Sequence, residues 1–136
     1  MNVIVCGGRD VPGDSFRRIV AKTLLSIHFD TPIDTLIDSG ISHGAVYLAR
    51  EWARVHNIQT KSFKALFSRY KGYCGHMRNK KMIDYALHHN APKGGQNHAM
   101  LVVFKDKYGR GTKDIIKQAK EANIFVWMVD LENEAI

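Results

Sequence analysis

The sequence predicts an α/β three-layer sandwich with a mainly parallel, five-stranded sheet at its centre. Three observations lead there. Short apolar runs of strand type alternate with stretches whose apolar residues recur three and four positions apart. Each strand-like run except the last is followed by a helix-like one, the order that right-handed parallel crossovers require. Glycines follow several strand-like runs, where the backbone must turn tightly towards the sheet edge. Together these describe a Rossmann-like arrangement.

Val3 to Cys6 is a short apolar run ended by Gly7-Gly8, the first strand. Phe16, Ile19, Val20, Leu24 and Ile27 share one helical face. Thr35 to Ile37, ended by Asp38-Ser39-Gly40, is the second strand. Ala45, Leu48, Ala49, Trp52 and Ala53 make the second helical face. Gln59 to Phe63 is a weaker third strand, rich in β-branched and aromatic residues. A long segment from Lys64 to His76 follows, then a third helix with Met82, Tyr85 and Ala86 on its inner face. Met100 to Phe104 is the strongest strand. Ile115, Ile116, Ala119 and Ala122 form a fourth helical face, and Ile124 to Val129 closes the pattern as the fifth strand.

The chain has 136 residues, the size of a single domain, and no linker or repeat divides it, so residues 1–136 are expected to form one unit. No apolar run is long enough to span a membrane. A strand beginning beside Met1 leaves no room for a signal peptide, and two cysteines without metal-type spacing suit a reducing compartment, so a cytoplasmic location is expected. The seven histidines form no metal signature; His88 and His89 are neighbours and point about 100° apart on a helix. No metal and no required cofactor are expected. The formal net charge of +7 favours anionic ligands in general.

Ligands of open α/β sheets bind beyond the strand C-termini, so the residues there carry the functional reading. Gly7 and Gly8 allow close backbone approach, and Arg9 adds a planar fork for phosphate or carboxylate. Ser39 and Gly40 end the second strand, and His43-Gly44 opens the helix after it, where free N–H groups favour an anion. Arg78-Asn79 stands near the start of the third helix; a cation there opposes the helix dipole unless an anion is held beside it. Gly109, Gly111 and Thr112 offer a further phosphate cradle after the fourth strand. Asp10, Asp38 and Asp114 are the candidate catalytic carboxylates. Phe67, Tyr70 and Tyr73, interleaved with cations, suit a lid that stacks on a base or covers the pocket.

Gly7-Gly8-Arg9-Asp10, Ser39-Gly40 with Gly44-Ala45, Leu48-Ala49 and Trp52-Ala53, Met77-Arg78-Asn79 with Met82, and Gly109-x-Gly111-Thr112-x-Asp114 run in order along nearly the whole chain. This set resembles the DUF2493 family, also called YspA-like, of the SLOG superfamily, which includes the lysine-decarboxylase-like LOG proteins and DprA. The resemblance implies a Rossmann-like fold and a nucleotide-related ligand at the glycine motifs. It also implies a phage or mobile-element source, from the family's distribution. Two departures bear on activity. Val46 stands where the family carries an acidic residue, and Ile115 stands where LOG enzymes carry a catalytic glutamate.

Three functions follow as expectations. The first is binding of a nucleotide or nucleotide derivative, in order to sense, sequester or process it. The second is hydrolysis of an N-glycosidic or phosphate ester bond. The third, suggested by charge and by the DprA kinship, is nucleic-acid binding, although only Arg78, Lys80 and Lys81 cluster in sequence. A homo-oligomer is left open.

Overall fold

The computed structural model describes residues 1–8, 13–65, 74–91, 98–105 and 112–130. These form strands β1 (Asn2–Gly7), β2 (Thr35–Asp38), β3 (Gln59–Ser62), β4 (Ala99–Lys105) and β5 (Phe125–Asp130). The helices are α1 (Gly13–Asp30), α2 (Gly44–Val55), α3 (Cys74–His88) and α4 (Lys113–Glu121). All strand pairings are parallel, in the order β3-β2-β1-β4-β5. The fold is thus the α/β, Rossmann-like sheet that the alternating pattern predicts. The order reverses between β1 and β4, the position where open α/β sheets hold ligands in a crevice beyond the strand C-termini.

The two-residue period of the central strands divides the core into two layers. Val3 and Val5 of β1, with Met100, Val102 and Phe104 of β4, pack under α1 and α2. Ile4 of β1 and Leu101 and Val103 of β4, with Cys6 at the margin, pack under α3 and α4. Phe104 is the largest fully buried side chain, so this layer closes directly below the crevice. Burying a residue of this size contributes about 1.5–3 kcal/mol, which makes the β1–β4 seam a rigid floor.

The helices end in a way the apolar pattern did not foretell. Asn57, Asn90 and Asn123 each adopt a positive φ, of 57°, 51° and 58°. Asparagine tolerates this left-handed conformation better than other side-bearing residues. Behind two of them the Ile58 and Ile124 amides return to the Ala53 and Ala119 carbonyls at 2.8 and 2.9 Å. Both isoleucines are buried, so each turn fastens its helix and feeds the next strand into the sheet. At the same edge of the sheet Asn2 Nδ2 donates to the Ala86 and His89 carbonyls at 3.0 and 2.7 Å, which ties the end of α3 to the start of β1.

No helix among the described residues is long and apolar enough to cross a membrane.

Candidate functional site

Gly7, Gly8, Gly40 and Gly44 all carry positive φ, at 86°, 64°, 77° and 75°. L-residues rarely adopt this conformation, so glycine is needed where β1 and β2 hand the chain to the sheet edge. Space adds to the requirement at Gly7, where a Cβ would collide with the Phe104 carbonyl oxygen of β4. The absence of a side chain there is what lets β1 and β4 stay in register at the crevice floor.

The Gly8 carbonyl accepts from the Ala45 amide at 2.9 Å, so the end of β1 is bonded to the first turn of α2. One of the amides expected to greet an anion at this helix start is therefore used within the chain. His43 is the N-cap residue in extended conformation, is exposed, and makes no capping bond through its ring.

Asp38, a candidate catalytic carboxylate, is fully buried. Its Oδ1 accepts from the Gly40 amide at 2.6 Å, from Arg50 at 2.9 Å and from the Ser62 hydroxyl at 2.8 Å. Arg50 also donates to the Ile41 carbonyl at 2.5 Å. This clasp shapes the loop that carries Ser39 and Gly40, both half-buried, at the end of β2. Arg50 and Ser62 had no signal in the linear sequence, because they come from α2 and β3, twelve and twenty-four residues from Asp38.

On the other face, the starts of α3 and α4 meet. Asn79, 3% exposed, donates from Nδ2 to Asp114 Oδ2 at 3.0 Å. Gln118 Nε2 donates to the same oxygen at 2.7 Å. His76 Nδ1 lies 2.8 Å from Asp114 Oδ1. Arg78 donates from Nε and Nη2 to Asn79 Oδ1 at 3.3 and 3.2 Å. Burial works to raise the Asp114 pKa, but hydrogen bonds from Asn79, His76 and Gln118, with the charge of His76, outweigh it and hold the carboxyl below its ordinary value of 3.8.

Helix α3 begins at Cys74, two residues before the His76 start expected from the sequence. Arg78 is thus its fifth residue, and its guanidinium turns back towards the helix start, where a Cβ on Gly75 would lie 4.0 Å from Nη2. Its charge is felt at Cys6, at the end of β1. Burial raises the Cys6 pKa to about 12, against the downward pull of the Arg78 charge. Thr112 occupies the N-cap position of α4, without a capping bond through its hydroxyl.

Among the expected site residues, then, Arg78, Asn79 and Asp114 are brought together, with Cys6 of β1 within the field of the Arg78 charge. Gly8 and Gly44-Ala45 meet on the opposite face, and Asp38 is held in its own clasp next to Ser39-Gly40. Arg9, Asp10, Phe67, Tyr70, Tyr73, Gly109 and Gly111 lie outside the described residues. His76 and Gln118 join the cluster although the sequence did not single them out as site residues. Among the described residues no group of His, Cys, Asp and Glu is placed to hold a metal ion.

No curated protein matches the sequence. The family described as YspA, cpYpsA-related SLOG matches residues 1–70, which runs from β1 past β3 and includes the Gly7-Gly8, Asp38-Gly40 and Gly44-Ala45 turns. Membership of that family suggests a nucleotide-related binding or processing role. The match covers just over half of the chain, and the protein belongs to the YspA, cpYpsA-related SLOG family.

Proposed function

We infer that the chain binds a nucleotide or nucleotide derivative through its phosphate, at the crevice between the C-terminal ends of β1 and β4. One observation carries this reading. Arg78 is held by Asn79 near the start of α3, and its charge acts on Cys6 at the end of β1, next to the point where strand order reverses. A guanidinium is a planar fork whose geometry suits phosphate oxygens. The starts of α3 and α4 add partial positive charge from their backbone amides. Gly7 and Gly8 let the backbone come close to the ligand from below. Ser39, Gly40, His43, Gly44 and Thr112 stand at neighbouring strand and helix ends, on the side where the rest of the nucleotide would lie.

The reading is tested by isothermal titration with ATP, ADP, AMP, ADP-ribose and 3′,5′-cyclic AMP, paired with native mass spectrometry of protein purified from cells. Saturable binding of at least one compound is expected. No heat of binding for any of them at millimolar concentration, with no co-purifying phosphate compound, overturns it.

A further inference from the structure

We propose that His76 is a general base that activates water for hydrolysis of a phosphoanhydride bond in the bound nucleotide. The proposal rests on the phosphate-binding reading above and goes beyond it.

A general base needs a ring nitrogen with an available lone pair and a partner that fixes the tautomer. His76 has both. Its Nδ1 lies 2.8 Å from Asp114 Oδ1, and an ionised carboxylate only accepts, so Nδ1 carries the proton. In the neutral ring the lone pair then resides on Nε2, for which no described residue is a partner. The His76 side chain is 51% exposed, open to water and ligand. Asp114 is itself fixed by Asn79 at 3.0 Å and by Gln118 at 2.7 Å, so the base has an orienter that cannot swing away. Such layered support goes beyond what a surface ion pair receives.

The same contacts select the bond. Cleavage of an N-glycosidic bond needs a carboxylate facing the ribosyl cation. Asp114 is engaged by three side chains, and Asp38 is buried in its clasp with Arg50 and Ser62. Neither carboxylate is available for that role. The Cys6 thiol, raised to about 12, is too weak an acid to protonate a departing sugar oxygen. A site with one base and no strong acid among its described residues suits a leaving group that departs as an anion. A phosphate does so; an alcohol does not.

In the step, Nε2 takes a proton from water while the water oxygen forms a bond to phosphorus. The bridging P–O bond breaks, and its electron pair stays on the departing phosphate oxygen. The proton on Nε2 passes to that phosphate or to solvent, which restores the base. One water is consumed and no other co-reactant is needed. Arg78 balances the charge on the phosphoryl oxygens.

The experiment follows phosphate release by ³¹P NMR from ATP, ADP and ADP-ribose, with titration calorimetry on the same samples. The proteins are wild type, His76→Gln, Asp114→Asn and the control His56→Gln, whose ring stacks on Trp52 near the far end of α2. Wild type and the control are expected to hydrolyse one of the anhydrides. His76→Gln loses at least about 100-fold in kcat while its dissociation constant stays within about threefold. In ¹⁵N-labelled wild type the His76 ring shows the Nδ1–H tautomer, and Asp114→Asn abolishes that preference. Binding without turnover in wild type, full turnover in His76→Gln, or an Nε2–H tautomer overturns the proposal and leaves the binding reading standing. Absence of binding removes both.

Discussion

Asn79 Nδ2 donates to Asp114 Oδ2 across 3.0 Å and joins the second turn of α3 to the first turn of α4, between residues thirty-five apart in the chain. The bond lowers the Asp114 pKa together with those from His76 and Gln118, so it links proton binding to folding. The folded carboxyl titrates below 3.8, and the unfolded one at about that value. Between the two the unfolded chain holds more protons. The contribution of Asp114 is therefore complete above 3.8 and is lost as acid titrates the folded group. Partial exposure keeps it below about 1 kcal/mol. Urea midpoints of wild type and Asp114→Asn at neutral pH and in acid check this: the gap between them is expected to narrow as pH falls below 3.8. A constant gap contradicts it.

Asp38 and Arg50 form the tighter pairing. The carboxylate is fully buried, and the arginine side chain is 17% exposed. Removing one partner of such a pair leaves a buried charge without its cation, at a cost of about 3–5 kcal/mol. Arg50→Ala is expected to lose about 3 kcal/mol in denaturant unfolding, and Arg50→Ala with Asp38→Asn to recover part of it. Equal midpoints for wild type and Arg50→Ala would show the clasp to be dispensable.

Gly7→Ala combines two penalties. Alanine at φ 86° is strained, and its Cβ meets the backbone carbonyl of Phe104, which cannot yield without disturbing β4. The expected loss is about 2–4 kcal/mol, against about 0.5 kcal/mol for an ordinary surface substitution. Thermal unfolding of the purified variant reads it directly.

Cys6 is expected to be unreactive. A thiol raised to about 12 carries almost no thiolate at neutral pH. In a Cys74→Ser background, iodoacetamide at neutral pH should leave the native protein unlabelled over a period that labels it fully in urea. Rapid labelling of the folded form would mean that Cys6 carries thiolate at neutral pH, against its raised pKa.

How much of this was legible in the sequence differs by element. The strands stood out because β1 and β4 are buried on both faces, which produces uninterrupted runs such as Val3 to Val5 and Met100 to Phe104. Gly7, Gly8, Gly40 and Gly44 were legible as turn glycines, and their positive φ values are the physical reason. The start of α3 was misplaced by two residues, because no capping residue marks Cys74. Asn57-Ile58 and Asn123-Ile124 were signals present in the sequence and passed over; asparagine followed by a buried isoleucine closes both helices. Arg50, Ser62 and Gln118 left no trace, since a hydrogen bond between distant segments has no period. His76 was visible only as one histidine among seven until Asp114 was found beside it.

Arg78 is the cation proposed to meet phosphate. Calorimetric titration of whichever nucleotide binds wild type, repeated with Arg78→Ala and Arg78→Lys, tests it most directly. Arg78→Ala is expected to weaken binding at least about tenfold, with Arg78→Lys intermediate because a point charge replaces the fork. Undiminished affinity in Arg78→Ala would contradict the account.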